Sequence, residues 1–177
     1  DEQAQTGTVD ASGVARPGYA ATQPSAPAIE APPATRPLRG LVERYTLDRF
    51  VVGPTNRFAH SAAMMVTESP GTRWNPLFLY GGVGVGKTHL LHAIGHEIHQ
   101  KHPDWNIVFV TCEQFVSDFI GSLAHRGGGP NQMEDFRRRY REEPDLLLID
   151  DIQFLSNKDS SQDEFFHTFN ALHYAHK

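Results

Sequence analysis

The chain has 177 residues, enough for one domain of ordinary size with room for a tail. Lys and Arg number 16 against 21 Asp and Glu; the formal charge of −5 excludes a histone-like, polybasic mode of action but leaves room for a local basic patch. No apolar run approaches the ~18 residues of a membrane-spanning helix, and a single cysteine, Cys112, excludes an internal disulfide framework and suits a reducing cytoplasm.

Residues 1–40 differ from everything after them. Ala, Pro, Gly, Ser and Thr fill 25 of these 40 positions, and six of the 12 prolines lie there. The large apolar residues Val9, Val14, Tyr19, Ile29 and Leu38 follow neither a helical nor a strand period. Such a segment buries too little apolar surface to offset its chain entropy. It is predicted to be a disordered linker, with polyproline-like stretches between Pro24 and Pro37. The first residue is Asp1 and no signal-peptide pattern follows, so the chain reads as part of something longer.

From Leu41 the composition turns globular. Gly53-Pro54 marks a turn, after which Thr55 or Asn56 is predicted to cap a helix reaching about Glu68. Leu77–Tyr80 reads as a short, continuously apolar strand, followed by a glycine-rich loop and a helix from Thr88 to about Lys101. Ile107–Val110 is a second such strand and Glu113–Leu123 a second helix. After a loop at Gly127–Pro130, Met133–Arg141 reads as a basic helix and Leu146–Ile149 as a third buried strand. A Ser161…Glu164 capping box is predicted to open a last helix. Wholly apolar strands alternating with helices indicate an α/β fold, a parallel sheet covered on both faces.

Gly81-Gly82-Val83-Gly84-Val85-Gly86-Lys87-Thr88 satisfies G-x-x-x-x-G-K-[ST], a phosphate-binding loop. Its glycines let the backbone curl so that successive N–H groups meet phosphate oxygens. Lys87 adds a point charge for the β- and γ-phosphates, and Thr88 offers a hydroxyl to Mg²⁺. The loop lies between a predicted strand and a predicted helix, the context this chemistry requires. Asp150-Asp151 closes the third strand, 63 residues after Lys87. A carboxylate at that end of a parallel strand faces the ligand crevice. Asp150 is placed to hold Mg²⁺ and Asp151 to orient an attacking water. Guanine is disfavoured: in Asn157-Lys158-Asp159-Ser160 the aspartate comes one residue too early for a GTPase element, and Gln153 stands where many GTPases have glycine. The nucleotide is expected to be ATP or ADP.

His89, His92, His96 and His99 fall within an ~80° arc of the helix after the loop. Leu91, Ile94 and Ile98 occupy the other side, so the histidines are expected to form a solvated face rather than a zinc site. Arg137, Arg138, Arg139 and Arg141 cluster beside Phe136 and Tyr140. Glu134, Asp135, Glu142 and Glu143 partly neutralise them, so a solvated face is the plainer reading and nucleic-acid contact the lesser one.

Three stretches carry a family resemblance: Tyr45–Ala59 (YTLDRFVVGPTNRFA), Asn75–Gly95 (NPLFLYGGVGVGKTHLLHAIG) and Leu146–Leu172 (LLLIDDIQFLSNKDSSQDEFFHTFNAL). Together residues 41–177 resemble the bacterial chromosomal replication initiators, the DnaA family. The resemblance implies a P-loop domain of the AAA+ class, binding ATP or ADP with Mg²⁺ and acting as a slowly hydrolysing switch. In it, Gly81–Thr88 hold the phosphates, Val52 and Asn56 belong to the stretch packing near adenine, and Thr88 and Asp150 hold Mg²⁺. Lys87 and Asp151 serve hydrolysis. A helical insertion, here roughly Glu113–Arg141, meets single-stranded origin DNA, with Ile120, Arg137 and Arg138 as contacts; the segment Arg126–Pro130 is extra to the family pattern.

By the same resemblance the partners are origin DNA, further copies of the chain, the replicative helicase through a preceding region, and acidic phospholipids. The location is cytoplasmic. A sensor strand, an arginine finger and a duplex-reading helix-turn-helix domain are expected beyond Lys177. The sensor strand would pair between Leu77–Tyr80 and Leu146–Asp150, so residues 1–177 alone are expected to be poorly stable and to hydrolyse ATP negligibly. A helicase-loader or transposition-helper ATPase of the same fold is a second reading. A metabolic P-loop kinase is a third, and needs a small-molecule acceptor site that the sequence does not display.

Overall fold

The computed structural model of the chain describes residues 36–72, 74–124, 131–156 and 159–177. Most of the predicted linker, the Arg126–Pro130 segment and Asn157-Lys158 lie outside them. In chain order the elements are α1 (Arg57–Glu68), α2 (Lys87–Lys101), β1 (Ile107–Thr111), α3 (Cys112–Ala124), α4 (Gln132–Arg137), a π-helical turn (Arg138–Glu142), β2 (Leu146–Asp150), a 3₁₀ turn (Ile152–Leu155) and α5 (Asp159–Tyr174). Among the described residues no helix is long and apolar enough to cross a membrane.

β1 and β2 pair in parallel, with Ile107 opposite Leu146 and Thr111 opposite Asp150. Because side chains alternate along a strand, each strand serves two cores. Ile107 and Leu148 pack with Leu90, Ile94 and Ile98 of α2. Val110, with Leu147 and Ile149 beside it, packs with Phe115, Val116 and Phe119 of α3. Helices therefore cover both faces, as the apolar strands require. The last residues of the predicted linker join the sheet, since Arg39 forms a parallel bridge with Val108 and the Arg36 N–H donates to the Pro103 carbonyl at 2.9 Å.

Leu77–Tyr80, whose expected partner is a strand beyond Lys177, is not a strand among the described residues. Among them it pairs with no strand, and Phe78 and Tyr80 are exposed. An apolar sequence makes a strand only where a neighbour accepts its hydrogen bonds. Instead Leu77 and Leu79 line, together with Leu147 and Ile149 of β2, a cavity of about 400 Å³. Among the described residues, the edge of β2 away from β1 is unpaired.

Three local expectations are also revised. Asn56 stands at the N-cap of α1, but its side chain turns back: Oδ1 accepts from the Gly53 N–H (2.7 Å) and Nδ2 donates to the Val51 carbonyl (3.0 Å). It braces the turn rather than the helix. Ser161 does not open α5, which begins at Asp159; Ser161 is buried inside it. The basic helix is two elements, α4 and the π turn.

The π turn has a packing cause. Tyr140 is fully buried against Phe115 and Phe136, and its hydroxyl donates to Asp118 Oδ2 on α3 at 2.6 Å. Gln114 Nε2 and Arg139 complete the carboxylate's partners, at 2.6 Å and 3.0 Å. Burial, then the bond to Asp118, pushes the Tyr140 hydroxyl far above the usual phenol range, so it stays a donor. Tyr140→Phe is expected to cost about 2 kcal/mol of stability, the worth of one hydrogen bond to a charged group. Urea unfolding measures this, and a loss under about 0.5 kcal/mol would remove the bond from the account.

Candidate nucleotide site

The loop enters α2 through Gly86, whose φ of +97° side chains rarely adopt. A Cβ there would also stand 2.8 Å from Phe50 Cε2, so both conformation and space demand glycine. Lys87 begins α2 and donates Nζ to the carbonyls of Gly81 (3.0 Å) and Gly82 (2.8 Å). Its ammonium is thereby held over the loop. The first turn of α2 has N–H groups without intrahelical acceptors and carries the positive end of the helix dipole. Glycine loop, ammonium and helix start together form an anion cradle.

Thr88 brings the two sequence motifs together. Its Oγ1 donates to Asp150 Oδ2 at 2.7 Å, joining the start of α2 to the end of β2. A hydroxyl and a carboxylate oxygen side by side are the hard, partly hydrated donor set that Mg²⁺ takes, so the residues fit that ion. Asp150 Oδ1 accepts the Asp151 N–H at 2.9 Å, which fixes the carboxylate's rotation.

Asp151 has φ 56° and ψ 43°, a left-handed backbone unusual for a non-glycine residue. Strain of this kind concentrates at functional sites. Gln153 Nε2 donates to Asp151 Oδ1 at 2.9 Å, holding the side chain. Lys87, Asp150, Asp151 and Gln153 all line the cavity beside β2. The sequence offered only a negative note on Gln153, the lack of glycine; its contact depends on the 3₁₀ turn that follows Asp151.

Val52 is half-exposed, and Asn56 ties the Val51–Gly53 turn. On the other side of the sheet, Ile120 is 54% exposed on α3. Arg137 is exposed and has no acidic partner among the described residues. Arg138 is held by Asp135 (2.6 Å) and Glu143 (3.3 Å); exposed pairs of this kind are worth little and can be exchanged for a phosphate. Arg141, by contrast, is committed to Glu164 and Thr168 of α5.

The histidines of α2 are not a solvated face. His92 is buried, and burial holds its pKa below the usual histidine range, the nearby Asp150 carboxylate opposing that shift. His89 and His96 are half-buried beneath residues 42–46. Helical arithmetic correctly separated the histidines from Ile94 and Ile98, but the second side is covered by a segment whose irregular backbone needs side-chain partners. Among the described residues no cluster of three His, Cys, Asp or Glu could hold a metal ion.

Comparison with known proteins agrees with this geometry. Residues 41–177 match the family model described as the bacterial DnaA ATPase domain. A chromosomal replication initiator protein DnaA of Thermus thermophilus is 50% identical over 149 residues, 84% of this chain and 33% of that protein. The DnaA of Roseiflexus castenholzii is 54% identical over 134 residues, covering 76% and 27%. The chain thus spans about a third of the length of these curated relatives. Among solved structures, domain III of DnaA from Thermotoga maritima superposes with a TM-score of 0.71 at 48% identity, covering 77% of this chain and 55% of that one. A replication initiator DnaA bound to AMPPCP and single-stranded DNA superposes with a TM-score of 0.70 at 38% identity, covering 78% and 41%. With a phosphate loop, an aspartate pair and a two-faced parallel sheet in the matched residues, the chain belongs to the bacterial DnaA ATPase-domain family.

Proposed function

We propose that the chain is the nucleotide-binding part of an ATP-dependent initiator of chromosomal replication, acting in the cytoplasm. ATP or ADP with Mg²⁺ sets the geometry in which copies assemble on the origin, and slow hydrolysis resets it. The observation that carries this reading is the 2.7 Å contact of Thr88 with Asp150, which unites the phosphate loop and the aspartate pair in a chain of this family. Gly81–Gly86 and Lys87 bind the phosphates; Thr88 and Asp150 would hold Mg²⁺, which when bound would supply charge neutralisation to the phosphates. Asp151 orients the water. Val52 and Asn56 stand on the base side.

Single-stranded origin DNA meets Ile120, Arg137 and Arg138, by analogy with the relative solved with AMPPCP and single-stranded DNA. The residues ahead of Arg36 serve as a linker to a helicase-contacting region, duplex recognition belongs to a following domain, and acidic phospholipids are a further partner.

The test is fluorescence anisotropy of a labelled single strand, titrated with the chain and Mg·ATP or Mg·ADP. Binding is expected to be tighter with ATP. Arg137→Ala is expected to weaken it and to reduce the slope of log K against log salt by about 0.7, the value for one phosphate contact on a single strand. Nucleotide-independent binding with an unchanged salt slope would overturn the DNA assignment.

A further inference from the structure

The segment ahead of the Val52–Asn56 turn is fastened to α2 by its histidines. The Val42 N–H donates to His92 Nδ1 at 3.2 Å, and His96 Nε2 bonds the Val42 carbonyl at 3.0 Å. His89 Nε2 bonds the Thr46 carbonyl at 2.9 Å. Three ring nitrogens thus tie three backbone groups of this turn-rich stretch to α2, two of them carbonyls that also accept a turn N–H from Tyr45 or Arg49. Partner chemistry fixes each ring: His89 and His96 present Nε2–H to a carbonyl, and His92 presents a bare Nδ1 to an N–H.

Packing follows the same line. Tyr45 stacks on His89 with ring centres 4.9 Å apart. Leu41 lies so close to α2 that a Cβ on Gly95 would stand 2.7 Å from its Cδ1. At the far end, Phe50 meets the edge of His89 at 5.3 Å and presses on Gly86, the last glycine of the phosphate loop. One helix therefore carries the phosphate cradle at its first turn and, along one side, the dock for the chain that leads to the base-side turn.

We propose that His89, His92 and His96 are positioning residues for the nucleotide base, holding residues 41–50 on α2 so that Val52–Asn56 stand at a fixed distance from the phosphate loop. This rests on the nucleotide reading above and adds its source of base affinity. A rigid loop–helix unit alone binds the triphosphate; the docked segment contributes the increment due to the nucleoside. Freeing the Val42 end leaves Phe50 on Gly86 and the cradle intact, because His92 and His96 bond Val42 and neither bonds Lys87 or the loop glycines.

Calorimetric titration of the whole chain with Mg·ATP and, separately, with Mg·tripolyphosphate tests this. His96→Ala and His92→Leu are expected to lower ATP affinity about five- to tenfold, the worth of one or two hydrogen bonds, and to leave tripolyphosphate affinity unchanged. His92→Asn keeps an acceptor near the place of Nδ1 and is expected to restore most of the ATP affinity. Equal losses for both ligands, or no loss for ATP, would overturn the positioning role. His96 is half-buried, so His96→Ala decides the matter even if His92→Leu fails to fold. A parent chain that binds neither ligand would instead overturn the nucleotide reading, and this inference with it.

Discussion

Lys87→Ala is expected to lower the affinity for Mg·ATP by about 10- to 100-fold. The ammonium lies against the Gly81 and Gly82 carbonyls, at the start of a helix whose dipole already favours an anion. A charged hydrogen bond lost from such a place is worth about 1.5–3 kcal/mol, and each 1.4 kcal/mol is about tenfold in affinity. Alanine is the best helix former, so α2 is not itself weakened. The loss should be the same for tripolyphosphate, since Lys87 serves phosphates and not the base. Equilibrium titration with both ligands measures it, and an unchanged affinity would remove Lys87 from the phosphate site.

Asp151→Asn is expected to slow hydrolysis by about 100-fold or more while changing ATP affinity by less than about threefold. Asparagine tolerates the left-handed backbone at least as well as aspartate, so the change isolates the charge proposed to orient water. The site lies beside the edge of β2 with which nothing pairs among the described residues, and beside the cavity of about 400 Å³ between that strand and Leu77–Leu79. Turnover by residues 1–177 alone is therefore expected to be negligible. The measurement is single-turnover hydrolysis in the chain extended past Lys177 by the matching segment of the Thermotoga maritima protein. A normal rate in the Asp151→Asn form would deny that residue a catalytic part.

The phosphate site was legible in the residues because its chemistry is local. Eight consecutive residues, Gly81–Thr88, contain the turn, the charge and the helix start, and no distant partner is needed to form them. Asp150 was legible for a related reason: an apolar strand that ends in carboxylates exposes them at the crevice. Gln153 was not, because its amide reaches Asp151 only through the left-handed turn at that residue. Tyr140 read as an aromatic beside a basic run, yet its hydroxyl bond to Asp118 joins residues 22 apart in sequence.

By itself, then, the sequence determined the phosphate loop, the aspartate pair, the alternation of helices with β1 and β2, and the family. All of these rest on short-range pattern. Tertiary structure decided that Leu77 and Leu79, predicted as strand residues, instead line a cavity with Leu147 and Ile149 among the described residues. It also decided that the histidines of α2 are covered. A helical wheel separates the two sides of a helix, but the partner on each side comes from elsewhere in the chain. Here residues 41–50 bring the Val42 N–H and the Val42 and Thr46 carbonyls to His92, His96 and His89, and the imidazoles bind them.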